Sequence, residues 1–361
     1  MNPTQICSLT AVPLNIPLFT PFGIAGGAQA VAQNVLVTVT LADGTQGYGE
    51  AAPFPAFNGE TQDGTLAAIA AVQSDLIGAD VRNWRLLATQ LRSAIPAAGS
   101  ARCALETAIL DALTRHHQVP LYVFFGGAST HLHTDMTITT GSAAEAAAAA
   151  LDILQRGIST IKVKIGGTHL AHDLERLVAI HAVAPEAPLI LDGNGGMNAD
   201  NALELLGALH VQHIRPALLE QPVPADDWAG LRQLAEWAGV PVAADETASS
   251  AAAVLQITQE RAAQVINIKL MKCGVAEALD IAAIARAAGL DLMIGGMVES
   301  LLAMTMSAHV AAGLGGFRFV DLDTPMFMAE NPFTGGFVQT GSRLDLAQIT
   351  AGHGVTPRIS A

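Results

Sequence analysis

The sequence predicts an α/β protein, a (β/α)8 or modified TIM barrel with an α+β capping domain, and three observations carry that prediction. After about residue 130, eight short β-branched runs, most of them closing on a polar or charged residue, alternate with Ala- and Leu-rich stretches at helical spacing. With Thr137, Lys164, Asp192, Glu220, Asp245, Lys269, Met297 and Asp321 as end markers, the intervals are 27, 28, 28, 25, 24, 28 and 24 residues. Each interval holds a strand, a loop and a crossover helix, and such barrels place their sites where the strands end. The first third differs, with strands first and helices afterwards, the order of an α+β unit. Finally, 361 residues, 51% hydrophobic and 14% charged, suffice for a barrel plus an appendage and exclude a disordered chain or a small disulfide-stapled scaffold. A doubly wound open sheet is the rival fold, weakened because no Gly-x-Gly-x-x-Gly follows a first strand.

Taken in order, residues 34–41 alternate in period two before Asp43-Gly44, and residues 46–50 resume an extended pattern, which reads as a strand and hairpin. Helices are expected over residues 61–77, 83–93 and 100–117. Ser142 with Glu145 forms a capping box opening the helix that follows the Thr137-Ile138 strand. The other barrel strands are expected at 160–164, 189–192, 217–220, 240–245, 265–269, 290–297 and 317–321. The expected division is a capping domain over 1–128, a barrel over 129–325 and a C-terminal segment, 326–361, returning to the cap.

Lys plus Arg total 18 against 32 Asp plus Glu, a formal charge of −14, and no basic residue precedes Arg82. That balance argues against nucleic acid and anionic membrane surfaces as partners. Cys7, Cys103 and Cys273 lie far apart, so neither a disulfide framework nor a zinc knuckle is suggested. With no basic n-region and no long uninterrupted apolar run, the expectation is a cytoplasmic protein without signal peptide or membrane span. His116-His117 and His131-x-His133 read as scattered core or surface histidines rather than metal ligands.

Consecutive barrel strands end in Lys162-x-Lys164, Asp192, Glu220, Asp245 and Lys269, so three carboxylates stand between lysines on one rim. Singly, each would be a helix cap or a solvated head on an apolar stem. Here they close the apolar runs Leu189-Ile190-Leu191, Leu218-Leu219, Val242-Ala243-Ala244 and Ile266-Asn267-Ile268, and charges ending buried strands need partners. Three carboxylates without a Cys or His cluster suit a hard divalent cation, Mg²⁺ first and Mn²⁺ second. Such an ion would hold a substrate carboxylate and absorb the second negative charge when the adjacent carbon loses its proton. Lys164 and Lys269 would flank that carbon, and a lysine serves as a base when burial or nearby cations lower its pKa.

On these residues the chain resembles the enolase superfamily, specifically its muconate-lactonizing-enzyme subgroup, over nearly its whole length. Ile161-Lys162-Val163-Lys164 is similar to the subgroup's Lys-x-Lys, and Asp192-Gly193-Asn194, Leu219-Glu220-Gln221-Pro222 and Ala244-Asp245-Glu246 to its three metal motifs. Asn267-Ile268-Lys269 is similar to its opposite-face lysine. The resemblance implies that Asp192, Glu220 and Asp245 bind Mg²⁺, that Lys164 and Lys269 are the acid/base pair, and that Lys162 polarises the substrate carboxylate. The absence of a seventh-strand His argues against the mandelate-racemase subgroup. Asp192-Gly193-Asn194-Gly195 and Lys272-Cys273-Gly274-Val275 depart from the usual Asp-Ala-Asn-Gln and Lys-x-Gly-Gly without removing a ligand or base.

Val320-Asp321-Leu322-Asp323-Thr324-Pro325 further resembles the eighth-strand Asp-x-Asp of this subgroup's dipeptide epimerases, where it grips a free α-ammonium. Two carboxylates there suit a cation and would repel phosphate. By the same resemblance Thr137, Gly296 and Met297 line the substrate site. The implied activity is inversion of the C-terminal residue of a dipeptide by two-base proton transfer through an enediolate. In this family two capping loops cover the side chain. Here they read Phe19-Thr20-Pro21-Phe22-Gly23-Ile24 and Phe54-Pro55-Ala56-Phe57-Asn58-Gly59-Glu60, without a cation. Phe19 and Phe22, with Phe54 and Phe57, therefore favour an apolar side chain over glutamate. Glu50, Glu60 and Asp63 leave cationic dipeptides as a weaker option. An N-acylamino-acid racemase or o-succinylbenzoate synthase would use the same lysines and metal, but its substrates offer Asp321 and Asp323 no ammonium. A metal-free Schiff-base aldolase and a non-enzymatic metal-containing binding barrel are the more distant rivals. Homo-oligomers are common in the family, but one chain defines no interface.

Overall fold

The structure, a computed structural model, describes residues 2–24, 27–139, 141–167 and 169–358. It opens with an antiparallel sheet of three strands in sequential order, β1 (Ile6–Ile24), β2 (Gly27–Leu41) and β3 (Gln46–Ala51). Sequence patterning locates only β3 and the second half of β2. Pro13, Pro17 and Pro21 give the first segment a broken pattern, but β1 is an edge strand, where a missing N–H costs no ladder bond. Between the Pro17–Val31 and Phe22–Gln29 pairs β1 carries extra residues, a bulge near the tip of the hairpin. The expected first capping loop is therefore the end of this hairpin.

After a single turn at Pro55–Asn58, three longer helices follow, α1 (Gln62–Leu76), α2 (Trp84–Ala94) and α3 (Gly99–His116), each within a residue or two of expectation. The Thr61 side chain caps α1, accepting from Gly64 N at 3.1 Å. Val35, Val37 and Val39 alternate inward from β2 onto Ile69 and Val72 of α1 and Leu105 and Ile109 of α3. β3 lies so close to α3 that a Cβ on Gly47 would sit 2.2 Å from Ala108 O, and one on Gly49 2.0 Å from Ala104 O. Those glycines let α3 run buried between the cap sheet and the barrel, where Glu106 accepts from Ala276 N at 2.8 Å.

Eight parallel strands form the second body: Met136–Ile138, Ile161–Lys164, Leu189–Asp192, Leu218–Glu220, Val242–Ala244, Val265–Ile268, Asp291–Ile294 and Phe317–Val320. They stand in sequential order, and the sheet curls until Asp135 N donates to Val320 O at 3.0 Å. Ile190, Leu218, Ala243, Val265 and Met293, from the third to the seventh strand, pack the interior. Ser142 and Glu145 make the expected reciprocal capping box on the first barrel helix, Ala143–Gln155. The seventh strand ends three residues early, ahead of Gly295-Gly296.

The C-terminal segment pairs Phe333–Gly335 with Val355–Pro357, and its Arg343–Asp345 strand with His131–His133. It reaches the cap through His353, whose N donates to Asp111 Oδ1 at 2.8 Å and whose Nε2 lies 2.9 Å from Tyr48 O. Cap and barrel are also joined at Glu50 of β3. Its buried carboxylate accepts from Asn34 Nδ2 at 2.7 Å, Ser300 N at 3.0 Å, Ser300 Oγ and Ala303 N at 3.2 Å. Cys103 and Cys273 are buried free thiols and Cys7 an exposed one. Among the described residues, no helix is long and apolar enough to cross a membrane.

Candidate active site

Strand register gathers the charged ends. Lys164 is paired with Asp192, and Asp192 with Glu220, on adjacent strands, while Asp245 and Lys269 directly follow the fifth and sixth. All are buried: Lys162 is 1% exposed, and Asp192, Glu220 and Asp245 are 0% exposed. The Lys162 ammonium stands 2.6 Å from Asp321 Oδ2, 2.8 Å from Asp192 Oδ2 and 2.9 Å from Glu220 Oε2. Lys164 meets Asp192 Oδ2 at 2.7 Å, and Lys269 meets Asp245 Oδ2 at 2.7 Å.

These ion pairs decide the protonation states. Burial raises Asp192, but Lys162, Lys164 and Lys269 together outweigh it and hold that carboxyl below its ordinary value. Asp245 is likewise brought down to about 2, against burial, by Lys269 and Lys272. Glu220 goes the other way, up to about 7, because burial and the Asp192 charge exceed the help from Lys162. Lys269 is raised rather than lowered, contrary to the expectation for a base: burial opposes its charge, and Asp245, with no cation to hold, more than compensates.

The donor set fits a hard divalent cation. Asp192, Glu220 and Asp245 offer only oxygen, from neighbouring strand ends. Glu220 Oε2 and Asp245 Oδ2 are buried and, among the described residues, are held by lysine ammoniums at 2.9 and 2.7 Å without further hydrogen-bond partners.

A cavity opens above this rim. Thr137, Lys162, Lys164, Lys269, Gly296, Met297, Asp321 and Asp323 line it, and with Phe22 nine of the expected site residues meet there. Thr137 N donates to Asp323 Oδ2 at 2.7 Å. Asp323 is pushed up to about 7 by burial and by Asp321, whereas Lys162 holds Asp321 below its ordinary value despite burial. At Gly296 a Cβ would fall 2.3 Å from Met304 Cε, so the cavity wall needs glycine unless Met304 withdraws. Phe22 lines the cavity with Phe54 and Phe57, and its ring meets Phe327 edge-on at 5.5 Å.

Phe19 is not brought to the site. It is 71% exposed, whereas Ile16 and Leu18 are buried. Strand alternation explains the correction: even-numbered residues of β1 face inward here, and a loop reading could not supply that phase. The weaker cationic option also loses support, because Glu50 is consumed by the cap–barrel junction and neither Glu60 nor Asp63 lines the cavity.

Three partners escaped sequence reasoning as functional groups. Lys272 Nζ donates to Asp245 Oδ1 at 2.8 Å, and Asn267 Nδ2 to Glu220 Oε1 at 2.8 Å. Phe57, expected only as part of the cover, also places its ring 4.7 Å from Lys269 Nζ. Glu299 Oε1 accepts from Met297 N at 2.7 Å, while among the described residues Oε2 has no partner. For Lys272 and Asn267 a signal existed in their positions beside Lys269; for Glu299 nothing local marked it.

Burial, then the Glu50 charge, pushes Glu299 up to about 8 from an ordinary 4.5. A carboxyl with a folded pKa so raised favours the fold fully below pH 4.5 and loses that contribution as pH rises through 8. In metal-free protein, Glu299→Gln should flatten the fall in stability between acid and mildly alkaline pH by on the order of a few kcal/mol. Urea midpoints across that range check it; parallel profiles for wild type and variant would count against it.

Comparison with known proteins matches residues 6–126 to the mandelate racemase/muconate lactonizing enzyme N-terminal domain and residues 143–361 to the enolase C-terminal domain-like family. The chain is similar to the aromatic dipeptide epimerase of Herpetosiphon aurantiacus, 61% identical over 353 residues, 98% of this chain and 99% of that protein. It is also similar to the solved dipeptide epimerase of Enterococcus faecalis complexed with Mg and the dipeptide L-Leu-L-Tyr. There the TM-score is 0.94 at 31% identity, over 98% of this chain and 99% of that one. For a substrate-liganded L-Ala-D/L-Glu epimerase from Bacillus subtilis the TM-score is 0.96 at 31% identity, covering 99% of this chain and all (100%) of that one. With both halves matched and the lysine and carboxylate strand ends in place, the chain belongs to the mandelate racemase/muconate lactonizing enzyme family of the enolase superfamily.

Proposed function

We propose that the protein is a Mg²⁺-dependent dipeptide epimerase that inverts the α-carbon of a C-terminal hydrophobic, foremost aromatic, residue. The observation that carries this reading is one cavity holding two lysines four strands apart, an Asp-x-Asp pair and three phenylalanines. Asp192, Glu220 and Asp245 would hold Mg²⁺. When bound, the ion supplies electrostatic stabilisation for the charge that develops on the substrate carboxylate. Lys164 and Lys269 face the α-carbon from opposite sides: one removes the proton, the other returns one to the far face. Asp321 and Asp323 receive the free α-ammonium, which an N-acylated substrate lacks. Lys162 ties Asp321 to the metal carboxylates and so holds both ends of the site in one register. The relatives named for aromatic and hydrophobic dipeptides support the side-chain assignment.

The cover decides the substrate. Phe22 and Phe54 belong to an apolar cluster with Leu18, Val298 and Met328, and no cation in the chain precedes Arg82. Burying an apolar side chain there is favourable by ~1.5 to 3 kcal/mol, whereas a glutamate would be left unpaired. Deuterium incorporation from D₂O into a dipeptide library, read by mass spectrometry, should favour Ala-Phe and Ala-Tyr over Ala-Glu by about 100-fold or more in kcat/KM. Equal exchange into Ala-Glu would overturn the assignment.

A further inference from the structure

We infer that Asp135 is a positioning residue for the ammonium subsite: it keeps a proton and donates it to Asp321, opposite the grip of Lys162. The inference rests on the dipeptide reading above. Asp135 immediately precedes the first barrel strand, and its backbone N–H closes the barrel on Val320, one residue before Asp321. Its side chain is 1% exposed, and among the described residues neither carboxyl oxygen meets an N–H or O–H donor. One oxygen each of Asp135, Asp321 and Asp323 lie within 4.8 Å of one another. Asp321 and Asp323 line the cavity, while Asp135 stands behind them.

The charged groups facing Asp135 are Asp321, Asp323 and Lys162. Lys162 stands 2.6 to 2.9 Å from Asp321, Asp192 and Glu220, and its hydrogen bond goes to Asp321 Oδ2. Asp323 accepts from Thr137 N. An ionised Asp135 would thus be a third buried anion in the cluster with no donor of its own, an arrangement that proteins avoid by retaining the proton. Burial and the two neighbouring aspartates do raise Asp135 well above the usual carboxylate range, and the neighbour within hydrogen-bonding reach is Asp321. With Asp135 neutral, Asp321 and Asp323 are the two carboxyls left at the cavity wall, and the approach of an ammonium favours the ionised form of Asp323. That suits one ammonium better than a second divalent cation, for which three ionised carboxylates would be the natural cradle.

The test compares Asp135→Ala with Asp135→Asn, whose amide keeps a donor but cannot ionise. With a hydrophobic Ala-Xaa dipeptide, Asp135→Ala should raise KM about 10- to 100-fold with little change in kcat, the worth of a hydrogen bond to a charged group. Asp135→Asn should restore KM to within about threefold of wild type. The infrared carboxylic-acid band of a buried protonated aspartate should be present in wild type and missing from Asp135→Asn, a readout that needs neither substrate nor a folded Ala variant. Three results would overturn the inference: an Asn variant as impaired as the Ala variant, no such band, or an additional Mg²⁺ equivalent bound by wild type and lost in both variants. The dipeptide reading fails separately, if wild type turns over N-acetyl-Ala-Xaa as well as free Ala-Xaa.

Discussion

Lys164→Ala should abolish epimerisation yet leave α-proton exchange on one diastereomer, and Lys269→Ala should abolish it while leaving exchange on the other. Lys164 ends the second barrel strand and Lys269 follows the sixth, so they stand across the ring from each other. Inversion needs both faces of the α-carbon, whereas exchange needs one base. Each loss should reach about 10³-fold or more in epimerisation rate. Neither substitution strips a carboxylate of its partner: Asp192 keeps Lys162, and Asp245 keeps Lys272. The variants should therefore remain folded, and circular dichroism with urea midpoints would verify it. Near-native epimerisation in both directions by either variant would remove the two-base assignment.

Chelation should have a comparable effect. Dialysis against EDTA is expected to lower epimerisation by on the order of 10³-fold or more, with recovery on adding Mg²⁺ and, to a lesser degree, Mn²⁺. An α-proton beside a carboxylate leaves only by placing a second negative charge next to the first, and lysine ammoniums at the rim are already engaged with carboxylates. Asp245→Asn should weaken Mg²⁺ binding measured by calorimetry and lower the rate in parallel. Full activity after exhaustive chelation would instead favour Schiff-base chemistry at a strand-end lysine, which borohydride trapping would reveal.

The barrel was legible because each of its strands is buried on both faces and reads as a short apolar run, with crossover lengths that hardly vary. The carboxylates and lysines proposed for the metal and the proton transfers stood out for a related reason: charges closing apolar runs have no solvent to turn to. β1 was obscured by its prolines, which are breakers in a central strand and harmless at an edge. That one misreading carried Phe19 into the site, since the inward phase of a hairpin is visible only once its pairing is known. Asp135 was in view two residues before Thr137, but only ring closure brings the beginning of the barrel sheet against its end and so sets Asp135 beside Asp321. Lys272 and Asn267 needed the turn after the sixth strand to aim them at Asp245 and Glu220.

The placement of the two lysines four strands apart in a ring of eight has a kinetic corollary. Both diastereomers of the substrate can present the same carboxylate and the same ammonium to the same fixed groups, exchanging only which lysine the α-hydrogen faces. A frame so balanced should hold the two with similar strength and turn them over at similar rates. The position of equilibrium belongs to the two dipeptides, as under any catalyst, and the direction of net flow is set by whichever of them is supplied or withdrawn.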